Sequence, residues 1–150
     1  MTRLRVWRSW KKLKRLAVSA AYEDRATEDR VNDFCEGLSR DLGHHCEISK
    51  GMWPGSQLRL PQLRSIAADD PACADLIIIS VHPAESLPDE MKGLVDQWLG
   101  RKDRRASVLM ALFDPVSRGV SSSMAAHLQE VAKRGSMEFV ALSQETPEDP

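Results

Sequence analysis

The sequence predicts an α/β fold: a three-layer sandwich in which helices cover both faces of a five-stranded, mainly parallel sheet. Residues 74–81 and 106–113 are continuous apolar runs rich in β-branched residues, typical of strands buried on both faces. Segments between the predicted strands repeat apolar residues every three or four positions, as amphipathic helices do. Strands and helices alternate along 150 residues, and right-handed crossovers then favour the strand order 2-1-3-4-5.

The first half of the chain supplies two strands and two helices. RLAVSAAY, residues 15–22, predicts strand 1, and the apolar spacing over 31–42 predicts a helix that ends at the following glycine. HHCEISK, residues 44–50, predicts a short, half-exposed strand 2. GMWPGSQLRLP, residues 51–61, predicts a turn-rich loop, and Pro61 suits the first position of the next helix.

The second half supplies three strands and two helices. Strand 3 is predicted over 74–81, and a helix with an acidic first turn over 88–99. Strand 4 is predicted over 106–113. The serines at 121–123 are candidate N-caps of a helix ending at Gly135. Strand 5 is predicted over 137–142.

The charge distribution divides the chain into three parts. Of the 21 basic residues, seven lie in residues 1–15, which contain no acid. The rest of the chain has 14 basic and 22 acidic residues, a net charge of −8. We expect a basic N-terminal arm over 1–15, one α/β domain over 16–142, and an acidic, disordered tail over 143–150.

Composition indicates the cellular compartment. No apolar run approaches the roughly 20 residues that cross a bilayer, and charges interrupt the N-terminal segment too often for a secretory signal. The three cysteines show no CxxC spacing, which disfavours a disulfide framework and a zinc site. The sequence therefore predicts a reduced, cytoplasmic protein.

The predicted layout resembles response-regulator receiver domains and other flavodoxin-like modules. Three segments are also similar to a group of uncharacterised bacterial proteins of unknown function: GMWPGSQLRLPQLRSIAADDPACADLIIIS, LPDEMKGLVDQWL, and a strand ending in ALF. The resemblance covers roughly residues 16–142. It implies the receiver-like, flavodoxin-like fold and supplies no activity.

Resemblance to receiver domains allows a test for aspartyl phosphorylation. Such domains have acids after strand 1, an Asp ending strand 3, a Thr or Ser ending strand 4 and a Lys ending strand 5. Glu23 and Asp24 suit the first role, but strand 3 ends in Ser80, Val81 and His82, and strand 5 ends in VALSQ. Our preferred interpretation is a non-catalytic interaction or signalling module without a phosphoacceptor and without a cofactor.

The loop after strand 1 disfavours flavin binding. A flavodoxin holds the phosphate of its flavin with backbone N–H groups in a small, hydroxyl-rich loop at a helix N-terminus. The corresponding loop here is YEDRATED, which has four carboxylates and no glycine, and negative charge repels phosphate. Neither GxGxxG nor a Walker A motif occurs in the sequence.

A metal-dependent enzyme is the alternative interpretation. Glu23, Asp24, His82 and Asp114 follow three different strands and would meet at one edge of the sheet. Carboxylates and an imidazole are ligands for Mg²⁺ or Mn²⁺, and the metal would activate water for a hydrolase or a phosphotransfer-like reaction. Simple structural roles compete with this hypothesis, because Asp24 suits a helix cap and Asp114 a turn cap.

The same edge carries four candidate contacts for a ligand or partner: Tyr22, Trp53, Ser80 and Ser117. Trp53 lies between two glycines, and its ring suits stacking on a flat ligand or insertion into a partner's pocket. The competing interpretation is that Trp53 folds back and covers the edge of the sheet.

The basic arm is the last feature. As a helix, residues 6–13 place Val6, Trp7, Trp10 and Leu13 on one face. This pattern suits a membrane surface or nucleic acid, but the acidic domain would repel both. We therefore favour an arm that packs on the domain or on a second subunit of a homo-oligomer, or on another protein partner; its predicted contact residues are Trp7, Arg8, Trp10 and Lys11.

Overall fold

The computed structural model describes residues 10, 13–63, 74–82, 87–99, 108–113 and 118–143. The elements are β1 (Arg15–Tyr22), α1 (Arg25–Leu42), β2 (Glu47–Pro54), α2 (Gly55–Leu58), β3 (Leu76–Ser80), α3 (Asp89–Leu99), β4 (Val108–Phe113), α4 (Arg118–Arg134) and β5 (Glu138–Ser143). In the described part of the chain, no helix combines the length and the apolar character needed to cross a bilayer.

The five strands form one parallel sheet in the order β2-β1-β3-β4-β5. The α/β sandwich predicted from the sequence is confirmed, including the strand order. In the register, Tyr22 of β1 lies beside Pro54 of β2 and Ser80 of β3. The carboxyl ends of these three strands are therefore level, and the segments that follow them share one edge of the sheet.

Alternation along the central strands builds two separate hydrophobic layers. Ile77 and Ile79 of β3 face a core formed with α3 and α4. Leu76 and Ile78 face the opposite core, formed with α1. All five residues of β3 and all six of β4 are buried. Their unbroken apolar sequences follow from this burial on both faces.

Strand β2 extends further than the sequence predicts. The predicted strand ended at Lys50 and was followed by a loop over 51–61, whereas β2 continues to Pro54 and is followed directly by the short helix α2. Gly51 to Pro54 pair in register with Ser19 to Tyr22 of β1. Proline is tolerated at this position because β2 is an edge strand and Pro54 is its last residue.

Helix α4 begins earlier than predicted. The serines at 121–123 were expected before the helix as N-caps, but they lie inside it, since α4 begins at Arg118. The apolar spacing that marks the helix starts only at Met124, which faces the core. The first turn consists of residues with no such spacing, so the pattern placed the helix start too late.

The C-terminal end of the basic segment belongs to the fold. Trp10 is only 3% exposed and lies in the core beside Leu16 and Val18 of β1. Its carbonyl accepts a hydrogen bond from the Leu13 amide at 3.0 Å. The Lys14 carbonyl then accepts one from the Glu47 amide at 2.8 Å, next to the first pair of β1 and β2. The other predicted arm contacts, Trp7, Arg8 and Lys11, lie outside the described residues.

Candidate site at the carboxyl edge of the sheet

The candidate site lies where β1 is flanked by β2 and β3. Strand order reverses at β1, because the chain moves to one side for β2 and to the other for β3. In open α/β sheets, the crevice beyond the carboxyl ends of the strands at such a switch point is where ligands bind. The loop after β1 carries Glu23 and Asp24, and the segment after β3 carries His82.

The loop after β1 is held by a capping box at the start of α1. Asp24 Oδ1 accepts a hydrogen bond from the Thr27 amide at 3.1 Å. The Thr27 hydroxyl oxygen in turn accepts from the amides of Glu23 and Asp24, both at 2.9 Å. Each partner satisfies backbone donors that a helix N-terminus otherwise leaves unpaired. The loop thus has a defined conformation set by two side chains.

Two carboxylates connect this loop to the end of β3. Glu23 Oε1 accepts a hydrogen bond from the His82 backbone amide at 2.6 Å. Asp24 Oδ2 lies 2.7 Å from His82 Nε2. The two oxygens of Asp24 therefore have different partners, since Oδ1 caps α1 and Oδ2 contacts the imidazole. Three of the four predicted metal ligands, Glu23, Asp24 and His82, meet at the switch point; the fourth, Asp114, lies outside the described residues.

The electrostatics of the site favour the ionised form of Asp24. The hydrogen bond from the Thr27 amide, with a further contribution from His82, lowers the pKa of Asp24 below its usual value of 3.8. Partial burial opposes this effect. At neutral pH the helix N-terminus is therefore occupied by a negative charge that belongs to the protein itself.

This lowered pKa makes stability depend on pH through Asp24. A carboxyl group whose pKa is lower in the folded state stabilises the fold above its unfolded pKa, and the contribution disappears as the pH falls through the folded pKa. Asp24→Asn keeps a good N-cap but removes the charge. We expect it to be about 0.3–1 kcal/mol less stable near neutral pH. The difference between the two proteins should begin to shrink below about pH 4 and should vanish only as the pH falls through the lowered folded pKa of Asp24.

The measurement is urea denaturation of both proteins over a series of pH values. Asp33→Asn is the matched control, because Asp33 is exposed in the middle of the same helix. At neutral pH the control should have nearly the same free energy of unfolding as the wild-type protein. If Asp24→Asn and Asp33→Asn lost the same amount of unfolding free energy, the position of Asp24 at the helix start would have no special role.

Three of the four predicted contact residues lie in the described part of the chain, where they are buried or half-buried. Ser80 is fully buried, and its hydroxyl donates to the Thr27 carbonyl at 2.8 Å, which joins β3 to α1. Tyr22 is half-buried, and burial together with the charge of Glu28 raises the pKa of its phenol. Trp53 is half-buried and packs against the core below α3 and α4. Ser117 lies outside the described residues. Roles of these four in ligand contact stay predictions.

The metal hypothesis likewise stays a prediction. Asp114 lies outside the described residues, and within the described ranges no group of three or more His, Cys, Asp or Glu side chains is arranged to hold a metal ion. Glu23 and Asp24 each direct a carboxylate oxygen to a group on His82 rather than to a common point. The imidazole and the two carboxylates thus serve first as links between two loops.

Sequence reasoning missed Thr27, Gly55 and Glu90. Thr27 organises the loop, and the Asp24-x-x-Thr27 spacing is a capping-box signal that identifies it. Glu90 on α3 lies 3.7 Å from the Arg59 guanidinium. A Cβ on Gly55 would come within 3.3 Å of the Glu90 carboxylate and 3.5 Å of the Tyr22 carbonyl. No local sequence pattern indicates the contacts of Gly55 and Glu90, because they join residues distant in sequence.

Comparisons with known proteins agree with this fold. The chain is similar in structure to a short-chain flavodoxin associated with a non-canonical PDU bacterial microcompartment, with a TM-score of 0.58, 15% identity, and coverage of 89% of this chain and 87% of that one. It is also similar to the Trp repressor binding protein from Bacillus subtilis, with a TM-score of 0.54, 11% identity, and coverage of 88% and 87%.

A third similar structure is Smu.1420 from Streptococcus mutans UA159, with a TM-score of 0.54, 10% identity, and coverage of 89% and 90%. At these identities the likeness defines the fold alone, which is flavodoxin-like. A scan against protein-family models and a search of curated proteins gave no match.

Proposed function

We propose that this chain is a non-catalytic, receiver-like module that works through contacts with other protein chains and carries neither a flavin nor a phosphoryl group at the carboxyl edge of its sheet. The observation that supports this most is the occupation of the α1 N-terminus by the carboxylate of Asp24. The position at which a flavodoxin-like fold would hold a phosphate is filled by the protein's own anion.

The residues present do not fit the phosphate of a flavin mononucleotide. Phosphate binding at a helix N-terminus requires free backbone N–H groups and a favourable electrostatic field. Here the Thr27 amide is bound by Asp24, and the amides of Glu23 and Asp24 are bound by the Thr27 hydroxyl. Two exposed carboxylates beside these amides add repulsion. A flavin would have to displace the capping box and approach negative charge.

The end of β3 does not fit aspartyl phosphorylation either. The strand ends at Ser80, whose hydroxyl is buried and hydrogen-bonded to α1, and His82 follows two residues later. No carboxylate is available at this point of the chain. The polar groups of the edge instead bind one another across the two loops, which supports a rigid structural role.

The free thiols suit a reducing compartment, and they support our proposal of a cytoplasmic location. Cys35 and Cys46 are both buried and unpaired by disulfide. Burial raises the pKa of each thiol, which keeps both in the unreactive protonated form. Structural thiols of this kind are typical of proteins that remain reduced.

The proposal predicts that flavin mononucleotide and inorganic phosphate leave the melting temperature of the wild-type protein unchanged. A ligand at 100 times its Kd would stabilise the native state by about 2.7 kcal/mol, which a melting curve resolves readily. Asp24→Ser is the informative variant, because serine caps α1 without a charge. A shift in the wild-type protein would contradict the proposal, whereas a shift confined to the variant would identify the carboxylate as the barrier.

A metal-dependent hydrolase or phosphotransfer-like enzyme is the second candidate, because Glu23, Asp24 and His82 do converge. The same melting experiment with Mg²⁺ and Mn²⁺ tests it. A shift in the wild-type protein that disappears in Asp24→Ala would favour the enzyme. The interaction module predicts no shift in either protein. Asp33→Ala serves as the control for unspecific ion effects on α1.

A further inference from the structure

A surface groove of about 450 Å³ lies between α4 and β5, far along the sheet from the switch point. Its apolar lining includes Met137 and Phe139, both of which pack against the core and remain half-exposed. Its rim is formed by the exposed polar side chains of Gln129, Glu130 and Lys133 on α4. Apolar side chains next to exposed polar and charged ones are a composition found in protein–protein interfaces.

The strand beside this groove lies at the edge of the sheet that the described residues form. Both β2 and β5 are edge strands, but they differ in composition. β2 carries Lys50, Gly51 and Pro54, and charge and proline are the usual features that prevent an edge strand from pairing with another chain. β5 reads EFVALS, in which one glutamate is followed by four apolar residues. Its exposed residue Ala141 is small. β5 is therefore suited to pair with another strand.

The rim of the groove is complementary to itself. Glu130 and Lys133 carry opposite charges three residues apart on α4, and both are exposed. Neither has an ion pair with another residue in the described part of the chain. In an interface with two-fold symmetry, the same patch of each subunit faces the other, so Glu130 of one copy can lie opposite Lys133 of the second and the reverse.

The dimensions agree with such an arrangement. Helix α4 packs on both β4 and β5, so its axis lies near the middle of the two strands. If two β5 strands pair across a two-fold axis, each α4 axis lies about one strand spacing from that axis. At about 4.8 Å per spacing, the two helices are roughly 10 Å apart. Packed helices have axes 8–10 Å apart. The second copy of α4 therefore fills the groove.

We propose that this face is the interface of a homodimer, in which the β5 strands of two copies pair antiparallel into a ten-stranded sheet and the α4 helices pack across the axis. This inference rests on the proposed function, since it names the partner of a module that works through protein contacts. The partner is a second copy of this chain, held by backbone hydrogen bonds, by contacts of Met137 and Phe139, and by reciprocal pairs of Glu130 and Lys133.

The experiment measures the molecular mass of the full chain by sedimentation over a range of concentrations. Lys133→Glu places two glutamates opposite each other in both symmetric pairs, and Glu130→Lys places two lysines there. Each should weaken dimerisation roughly tenfold or more. The double variant Glu130→Lys/Lys133→Glu restores opposite charges and should recover the wild-type dimer. Ala141→Lys, on the strand edge itself, should give a folded monomer.

The control is Glu36→Lys, since Glu36 is exposed on α1 in the opposite layer; it should dimerise as the wild-type protein does. A wild-type protein that is monomeric at high concentration would overturn the inference, as would a dimer unaffected by the single reversals or by Ala141→Lys. A loss of dimer in both single variants without recovery in the double variant would also overturn the proposed pairing. None of these outcomes depends on flavin or metal binding. The melting experiments with flavin mononucleotide, phosphate and metal ions test the proposed function separately.

Discussion

Trp10→Ala should lower the free energy of unfolding by about 3–5 kcal/mol, the range for removing a large aromatic side chain from a packed core. Trp10 lies within residues 1–15, whose seven basic residues suggest a solvated arm, yet it is only 3% exposed. It lies in the same core as Cys35 and Leu38 of α1. The loss combines the transfer of apolar surface with the cavity that the indole would leave.

Urea denaturation followed by circular dichroism measures this difference. Leu60→Ala is the matched control, because Leu60 is a large apolar residue that is 53% exposed, and its replacement should change stability by about 0.5 kcal/mol or less. If Trp10→Ala were no more costly than the control, the segment before β1 would be an appendage rather than part of the core. The expected result would mean that any surface role of this segment is limited by its packing.

The sheet was predictable because its central strands leave a strong local signal. β3 and β4 are buried on both faces, and such strands must be apolar throughout. The right-handed crossover rule then restricts the possible strand orders. The least predictable element was β2, an edge strand whose second half reads GMWP. Glycine and proline usually indicate a turn, and only pairing with β1 keeps this segment extended.

The candidate site was predictable in position but not in its connections. Glu23, Asp24 and His82 follow strand ends, and strand order alone brings them to one edge. The sequence does not reveal how each carboxylate is used, because Asp24 has two oxygens and binds different partners with each. Thr27 was missed since its hydroxyl acts on backbone amides, and hydrophobic spacing carries no information about such contacts.

Thr27→Val should destabilise the protein by about 2–4 kcal/mol, although the two side chains have nearly the same shape. The Thr27 hydroxyl accepts hydrogen bonds from the amides of Glu23 and Asp24 and donates to the Asp24 carbonyl, each at 2.9 Å. Thr27 is fully buried, so a methyl group in place of the hydroxyl takes this acceptor from the amides of Glu23 and Asp24, whereas the Asp24 carbonyl keeps the hydrogen bond from the Glu28 amide. The loop that holds Asp24 against His82 would loosen as a result.

Thr27→Ser separates the hydroxyl from the methyl group. Serine keeps all three hydrogen bonds and loses one buried methyl, so it should cost only about 1 kcal/mol. Urea denaturation measures both variants, and amide hydrogen exchange at Glu23 and Asp24 should be faster in Thr27→Val alone. Equal losses in the two variants would mean that Thr27 contributes by packing only. The greater loss in Thr27→Val would mean that this hydroxyl fixes the loop and, through Asp24, the N-terminus of α1.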